Sequence, residues 1–243
     1  MIDPAASFVE AARYLLALLF GLKGDLAGGL ALNILLALLA LPASLLLGVI
    51  LGCFRVFSLR FLAPFAIAYT ELVKSVPLVL MLFWMHYALP LFLGVRSLPP
   101  GLTAVAALTV YGTAQVAEVF RSGVKAVDTA QMEAALLAGM PRRTAARVIL
   151  APQVMHTMIP ALLAVMVSLF KDSSVVFVLG LIELTQTGIL LANRYPATLI
   201  AMYCFIALGF MAFSGLLTWL ARRLRLRLAR RYGQDGLEAA QSF

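Results

Sequence analysis

Ionisable residues inside apolar runs are the first candidates for chemistry in this chain. Lys171 and Asp172, followed by Ser173, interrupt the run 158–182. A charge inside a membrane span costs about 2.5 kcal/mol or more, so it is expected to face protein or a water-filled path. Neighbours in sequence do not face each other on a helix, so each needs its own partner. One reading has the pair line or gate a path, with Lys171 meeting a carboxylate; the other is a structural ion-pair network. Glu71 and Lys74 lie three apart beside Pro77 and allow the same two readings. Glu118 and Arg121 repeat that spacing at a span end and read as a structural ion pair that anchors the next loop. His86, between Trp84 and Tyr87, reads as part of an interfacial aromatic belt.

No catalytic residue set can be assembled. The chain has no G-x-x-x-x-G-K-[ST] loop, no H-E-x-x-H pair and no G-x-S-x-G elbow. Cys53 and Cys204 are far apart and lack metal-ligand spacing. The expectation is a protein with no metal site and no enzymatic activity of its own.

The densest local signal lies in the polar stretch 121–153. Asp128 with Gln131 resembles a capping box. Residues 130–138 have high helix propensity, Gly139 suits a left-handed stop, and Pro141 ends or restarts the chain. A second, basic helix over 142–150 carries Arg142, Arg143 and Arg147 and ends by Pro152. Met132, Ala135, Leu136 and Gly139 share one stripe. Exposed in a loop, such a stripe calls for a groove in a partner.

The elements that hold these residues are membrane spans. Of 243 residues, 63% are hydrophobic and 12% charged, and the mean hydropathy is +1.00. The charged share is about half that of a soluble domain. Apolar runs predict about five spans at roughly 20 residues each. They fall at 28–54, 64–93 with a break near Pro77, 102–120, 158–182 and 197–220. Loops are expected at 94–101 and 183–196, and a surface helix over 5–22. The domain plan is an outer-face segment 1–27, a transmembrane domain 28–220 and a basic cytoplasmic tail 221–243.

With the amino terminus outside, the inner segments carry Arg55, Arg60, Arg121, Lys125, Arg142, Arg143, Arg147 and the arginines of 222–231. The outer segments carry Arg13, Lys23, Arg96 and Arg194. The positive-inside rule selects this orientation, which puts 121–153 and the carboxyl terminus in the cytoplasm. It also accounts for the net charge of +8 without nucleic acid.

Glu133, Ala134, Ala135, Gly139, Ile149 and Pro152 resemble, in spacing, the EAA loop of binding-protein-dependent ABC importer permeases, with Ala151 where the family usually has Leu. Within that family, Lys74-Ser75-Val76-Pro77-Leu78, Glu118 to Gly123, Lys171-Asp172-Ser173-Ser174 and Glu183-Leu184-Thr185 are similar to segments of polar amino acid permeases. The stretch from Lys74 to Pro90 looks most like the glutamate/aspartate type. The resemblance implies an all-α type I importer bundle with a cytoplasmic coupling helix. It implies docking of a cassette ATPase on Glu133, Ala134, Ala135 and Gly139, with Pro152 closing the motif. ATP and Mg would be bound by that ATPase, and this chain would carry no cofactor. The other implied partners are a second permease (a copy or a paralogue), an extracytoplasmic solute-binding protein and an amino acid substrate.

The sequence also admits two rival readings. An ATP-independent secondary transporter or channel would use the Lys171-Asp172 region for ions and has no need of a docking loop. A membrane enzyme would require scattered polar residues to converge on one pocket.

Overall fold

A computed structural model describes residues 13–14, 16–21, 28–57 and 61–241. Among them the backbone is helical, and the one isolated bridge joins Gly29 to Glu183. Four helical stretches are long and apolar enough to cross a membrane, and a bent pair makes a fifth. The expected five-span bundle is therefore present.

Helix α1 (Gly29–Val56) and helix α5 (Pro100–Lys125) form the central pair. Ser44, Gly48 and Gly52 recur every fourth residue and let the two backbones close up. A Cβ on Gly48 would lie 2.4 Å from Val116 Cβ, and one on Gly52 would lie 2.7 Å from Phe120. In lipid, where apolar surface gains little from leaving its solvent, such close packing supplies the association energy.

The second span is broken. Helix α2 (Leu62–Ser75) and the segment 78–93 bend by 105° at Val76-Pro77. Val76 is extended (φ −98°, ψ 127°), because the proline ring after it disfavours helical backbone. Helix α3 (Leu78–Phe83), a π turn (Trp84–Ala88) and helix α4 (Leu89–Leu93) follow, and Gly94 stops them in left-handed backbone at φ 68°.

Helix α6 (Thr129–Leu137) forms the loop helix. Helix α7 (Arg142–Ala145), a second π turn (Ala146–Leu150) and helix α8 (Ala151–Asp172) then run on without a break. The expected stop at Pro152 is thus corrected. Both π turns end two residues before a proline, Pro90 and Pro152. Each proline lacks an N–H for the carbonyl four residues back and would press on it; widening the turn relieves both conflicts.

Helix α8 passes at Ser173 into a 3₁₀ segment (Ser173–Leu179), which Gly180 ends at φ 79°. The expected loop 183–196 is instead largely helix α9 (Leu184–Arg194). Its Leu184, Leu191 and Ala192 pack with Leu18, Met202 and Ile206. That burial selects helix where the polar residues of the segment suggested loop. Helix α10 (Leu199–Gln241) continues through the basic tail. Its 43 residues span about 65 Å, against roughly 30 Å of hydrocarbon, so its end extends beyond the bilayer. Of the expected surface helix over 5–22, residues 13–14 and 16–20 are helical, Gly21 ends the helix at φ 87°, and the other residues of that range lie outside the described ones.

Candidate functional site

The loop between α5 and α8 is shaped by local turn chemistry. Asp128 caps α6 by accepting the Ala130 N–H at 2.9 Å. Gly139, at φ 81°, closes the helix: its N–H donates to Leu136 O and the Met140 N–H donates to Ala135 O, both at 3.0 Å. This is the paired hydrogen-bond pattern of a glycine-terminated helix. The expected capping box is only half present. Gln131 does not reach back to Asp128; its Oε1 accepts the Gln153 Nε2–H at 2.6 Å, joining α6 to α8.

The outward face of α6 differs from the expected stripe. Ala135 is 7% exposed and turned inward. Glu133, Ala134, Leu136 and Gly139 are exposed, and Leu137 is 90% exposed. A Cβ on Gly139 would meet nothing within 4 Å. Pro152 is exposed at the start of α8. Leu137 lies off the expected stripe, which runs through Met132.

The expected pair of Glu118 and Arg121 forms, and Arg55 completes it. Arg121 Nη2 donates to Glu118 Oε1, and Arg55 Nη1 donates to Oε2 at 2.9 Å. The Arg55 side chain is only 9% exposed. One carboxylate therefore ties the end of α1 to the end of α5, above the loop. Arg55 lies 63 residues from Glu118, beyond any spacing rule; its place at the end of a span was its only signal.

Glu71 and Lys74 are exposed on α2 and do not pair with each other. Lys74 instead lines a cavity of about 680 Å³ with Gln115, Glu118, Ser122, Thr157 and Ser168. Its walls come from α2, α5 and α8. Asp172, at the end of α8, accepts a hydrogen bond from Ser168 Oγ at 3.1 Å. Lys171 is exposed and turns the other way, into a groove against α10 with Ser214 and Thr218. The adjacent charges thus serve different surfaces, as helical geometry requires. His86 Nδ1 lies 3.1 Å from Thr103 Oγ1, on the π turn and against the Tyr87 ring.

Ser173 is fully buried. It belongs to a polar knot that sequence reasoning missed. Asn33 Nδ2 donates to Ser173 Oγ at 3.0 Å and to Glu183 Oε2 at 2.9 Å, while Asn33 Oδ1 accepts the Leu184 N–H. The Glu183 carboxylate also accepts the Thr185 and Gln186 N–H groups and so caps α9. Burial pushes the Glu183 carboxyl above its ordinary range, and these hydrogen bonds oppose the rise.

A family model described as "Binding-protein-dependent transport system inner membrane component" matches residues 14–228. The chain belongs to that family. The permease is 31% identical over 210 residues to the glutamate/aspartate import permease protein GltK of Escherichia coli, covering 82% of this chain and 92% of that one. It is 28% identical over 206 residues to the probable glutamine ABC transporter permease protein GlnP of Bacillus subtilis, covering 82% and 91%. Among solved structures, an amino acid ABC transporter with histidines superposes with a TM-score of 0.78 at 23% identity, over 93% of this chain and 99% of that one. At that identity the likeness speaks for the fold alone. The permease is a multi-pass inner-membrane subunit of an ABC importer for amino acids.

Proposed function

We propose that this permease moves glutamate and aspartate inward across the membrane, driven by a cassette ATPase docked on α6 and fed by an external binding protein. The observation that carries the reading is the α6 loop: a capped helix with Leu137 90% exposed and open space beside Gly139. An uncovered leucine at the end of a capped helix is the form of an anchor for a partner groove. Glu133 and Ala134 flank it, Gly139 keeps the approach clear, and Pro152 begins the helix that runs into the membrane. ATP and Mg bind to the ATPase and not to this chain.

Exposed charge on the span helices supports a second permease. Glu71, Lys74 and Lys171 are all exposed in the isolated chain, and lipid solvates such groups poorly. A second copy or a paralogue, with a water-filled path between the two, satisfies them. Glu71, Lys74, Lys171 and Asp172 then line the path, the buried Ser173 supports it from behind, and the cationic groups suit an anionic cargo. ATP binding draws the two loops together and opens the path outward; hydrolysis resets it. The amino terminus is outside and the carboxyl terminus inside, so Cys53 is expected to react with an impermeant thiol reagent from the cytoplasmic side.

Substrate choice is tested by reconstituting the complex with its native partners and following labelled glutamate. ATP-dependent uptake that aspartate competes and arginine does not supports the reading. ATP-dependent uptake of glutamine or arginine, with none of glutamate, contradicts the substrate. Uptake by the purified chain alone, without ATP, contradicts the mechanism.

A further inference from the structure

The α6–α8 region contains two places where a push on α6 could be absorbed. One is the turn at Gly139 to Pro141, between α6 and α7. The other is the π turn Ala146–Leu150, whose ladder is interrupted because Pro152 has no N–H to donate to Val148 O. Widened turns and missing ladder bonds are where helices bend. A docking helix followed by two soft joints would move without moving the membrane helices.

Gln153 spans both joints. Its Nε2 donates to Ile149 O, inside the π turn, at 3.1 Å, and to Gln131 Oε1, on α6, at 2.6 Å. One side chain therefore fastens α6, the π turn and the start of α8 to one another, across 22 residues of sequence. Beyond it, α8 stays helical from Ala151 to Asp172, through Pro160, with no widened turn there, over about 33 Å. Val154 and Met158 pack it against Val127 and the inner end of α5. Its Thr157, Ala161, Ala164 and Ser168 form one wall of the cavity, facing Gln115, Glu118 and Ser122 of α5. A rotation of α8 against α5 changes the width of that cavity.

We propose that the Gln131–Gln153 contact is the link that passes motion of the docking helix into α8. The two glutamines are positioning residues: they touch neither nucleotide nor cargo and keep the joints from yielding when α6 is displaced. The inference rests on the importer reading above and adds to it the route of coupling within this chain.

The test uses the whole transporter, purified through this chain from its native membrane and reconstituted with its binding protein, with glutamate as the probe. Uptake and ATP hydrolysis are measured together for the wild type, Gln131→Ala, Gln153→Ala and the double variant Gln131→Glu/Gln153→Lys. The single variants are expected to keep the ATPase bound and hydrolysing within about twofold of wild type, while uptake per ATP falls about fivefold or more. The double variant replaces the amide contact by an ion pair of similar reach and is expected to recover most of that ratio. An unchanged ratio in both single variants overturns the link. So does a joint loss of uptake and hydrolysis with loss of the ATPase, which would make the contact a matter of assembly. A wild-type chain that purifies without any ATPase overturns the importer reading itself, and the link with it.

Discussion

Asn33 Nδ2 donates to Glu183 Oε2 at 2.9 Å, across 150 positions of the chain. Both residues are fully buried. The contact holds the first turns of α1 against the N-terminus of α9 and, through Ser173, fixes the end of α8. Each atom of the Asn33 amide group and each carboxylate oxygen of Glu183 has a partner, which is the condition for burying such groups at low cost.

Asn33→Leu is therefore expected to destabilise the permease by about 2 kcal/mol or more, since it leaves a buried carboxylate short of a donor. Thermal unfolding in detergent would measure it. Asn33→Asp places two acceptors together, and adding Glu183→Gln restores a donor with the roles reversed. The double variant should be more stable than Asn33→Asp alone; a further loss would mean that the knot is not held by this hydrogen bond.

The Arg55–Glu118–Arg121 cluster predicts an asymmetry. Glu118→Ala leaves the buried Arg55 without its carboxylate, an uncompensated charge expected to cost about 3 kcal/mol. Arg121→Ala leaves Glu118 still bonded to Arg55 at 2.9 Å and is expected to cost about 1 kcal/mol or less. Equal losses in stability for the two variants would contradict the assignment of Arg55 as the buried partner.

Lys171→Ala is expected to lower glutamate uptake while the ATPase still co-purifies, because Lys171 lies at the opposite end of α8 from Gln153, which contacts α6. Full uptake would remove this lysine from the path. A loss of the bound ATPase would make it structural.

Much of this was readable in advance because it is local. Asp128, Gly139 and Pro141 mark a helix, a left-handed stop and a restart within a few residues, and hydropathy alone set the spans. Pro77 announced the bend. Pro152 misled for a physical reason: a proline breaks an ideal α-helix, but one widened turn before it lets the helix continue. Arg55, Asn33 and Gln153 were not legible, because their partners lie 63, 150 and 22 residues away and tertiary packing alone brings them together. Leu137 was missed because a helix of nine residues is too short for periodicity to say which side faces inward.

The loop supplies its own prediction. Glu133→Lys, Leu137→Asp and Gly139→Asp change the uncovered face of α6 without touching the spans. Each should insert into the membrane normally and lower uptake about tenfold or more, in line with the loss of a central interface anchor. Normal uptake by all three would remove α6 from the coupling route.

The central claim is that α6 docks an ATPase. Its most direct test is to tag the carboxyl tail, extract the permease gently from its native membrane and identify what co-purifies. The account predicts a cassette ATPase with the wild-type chain and its loss with Leu137→Asp. Absence of an ATPase from the wild-type eluate, under conditions that keep a known importer complex intact, would contradict it.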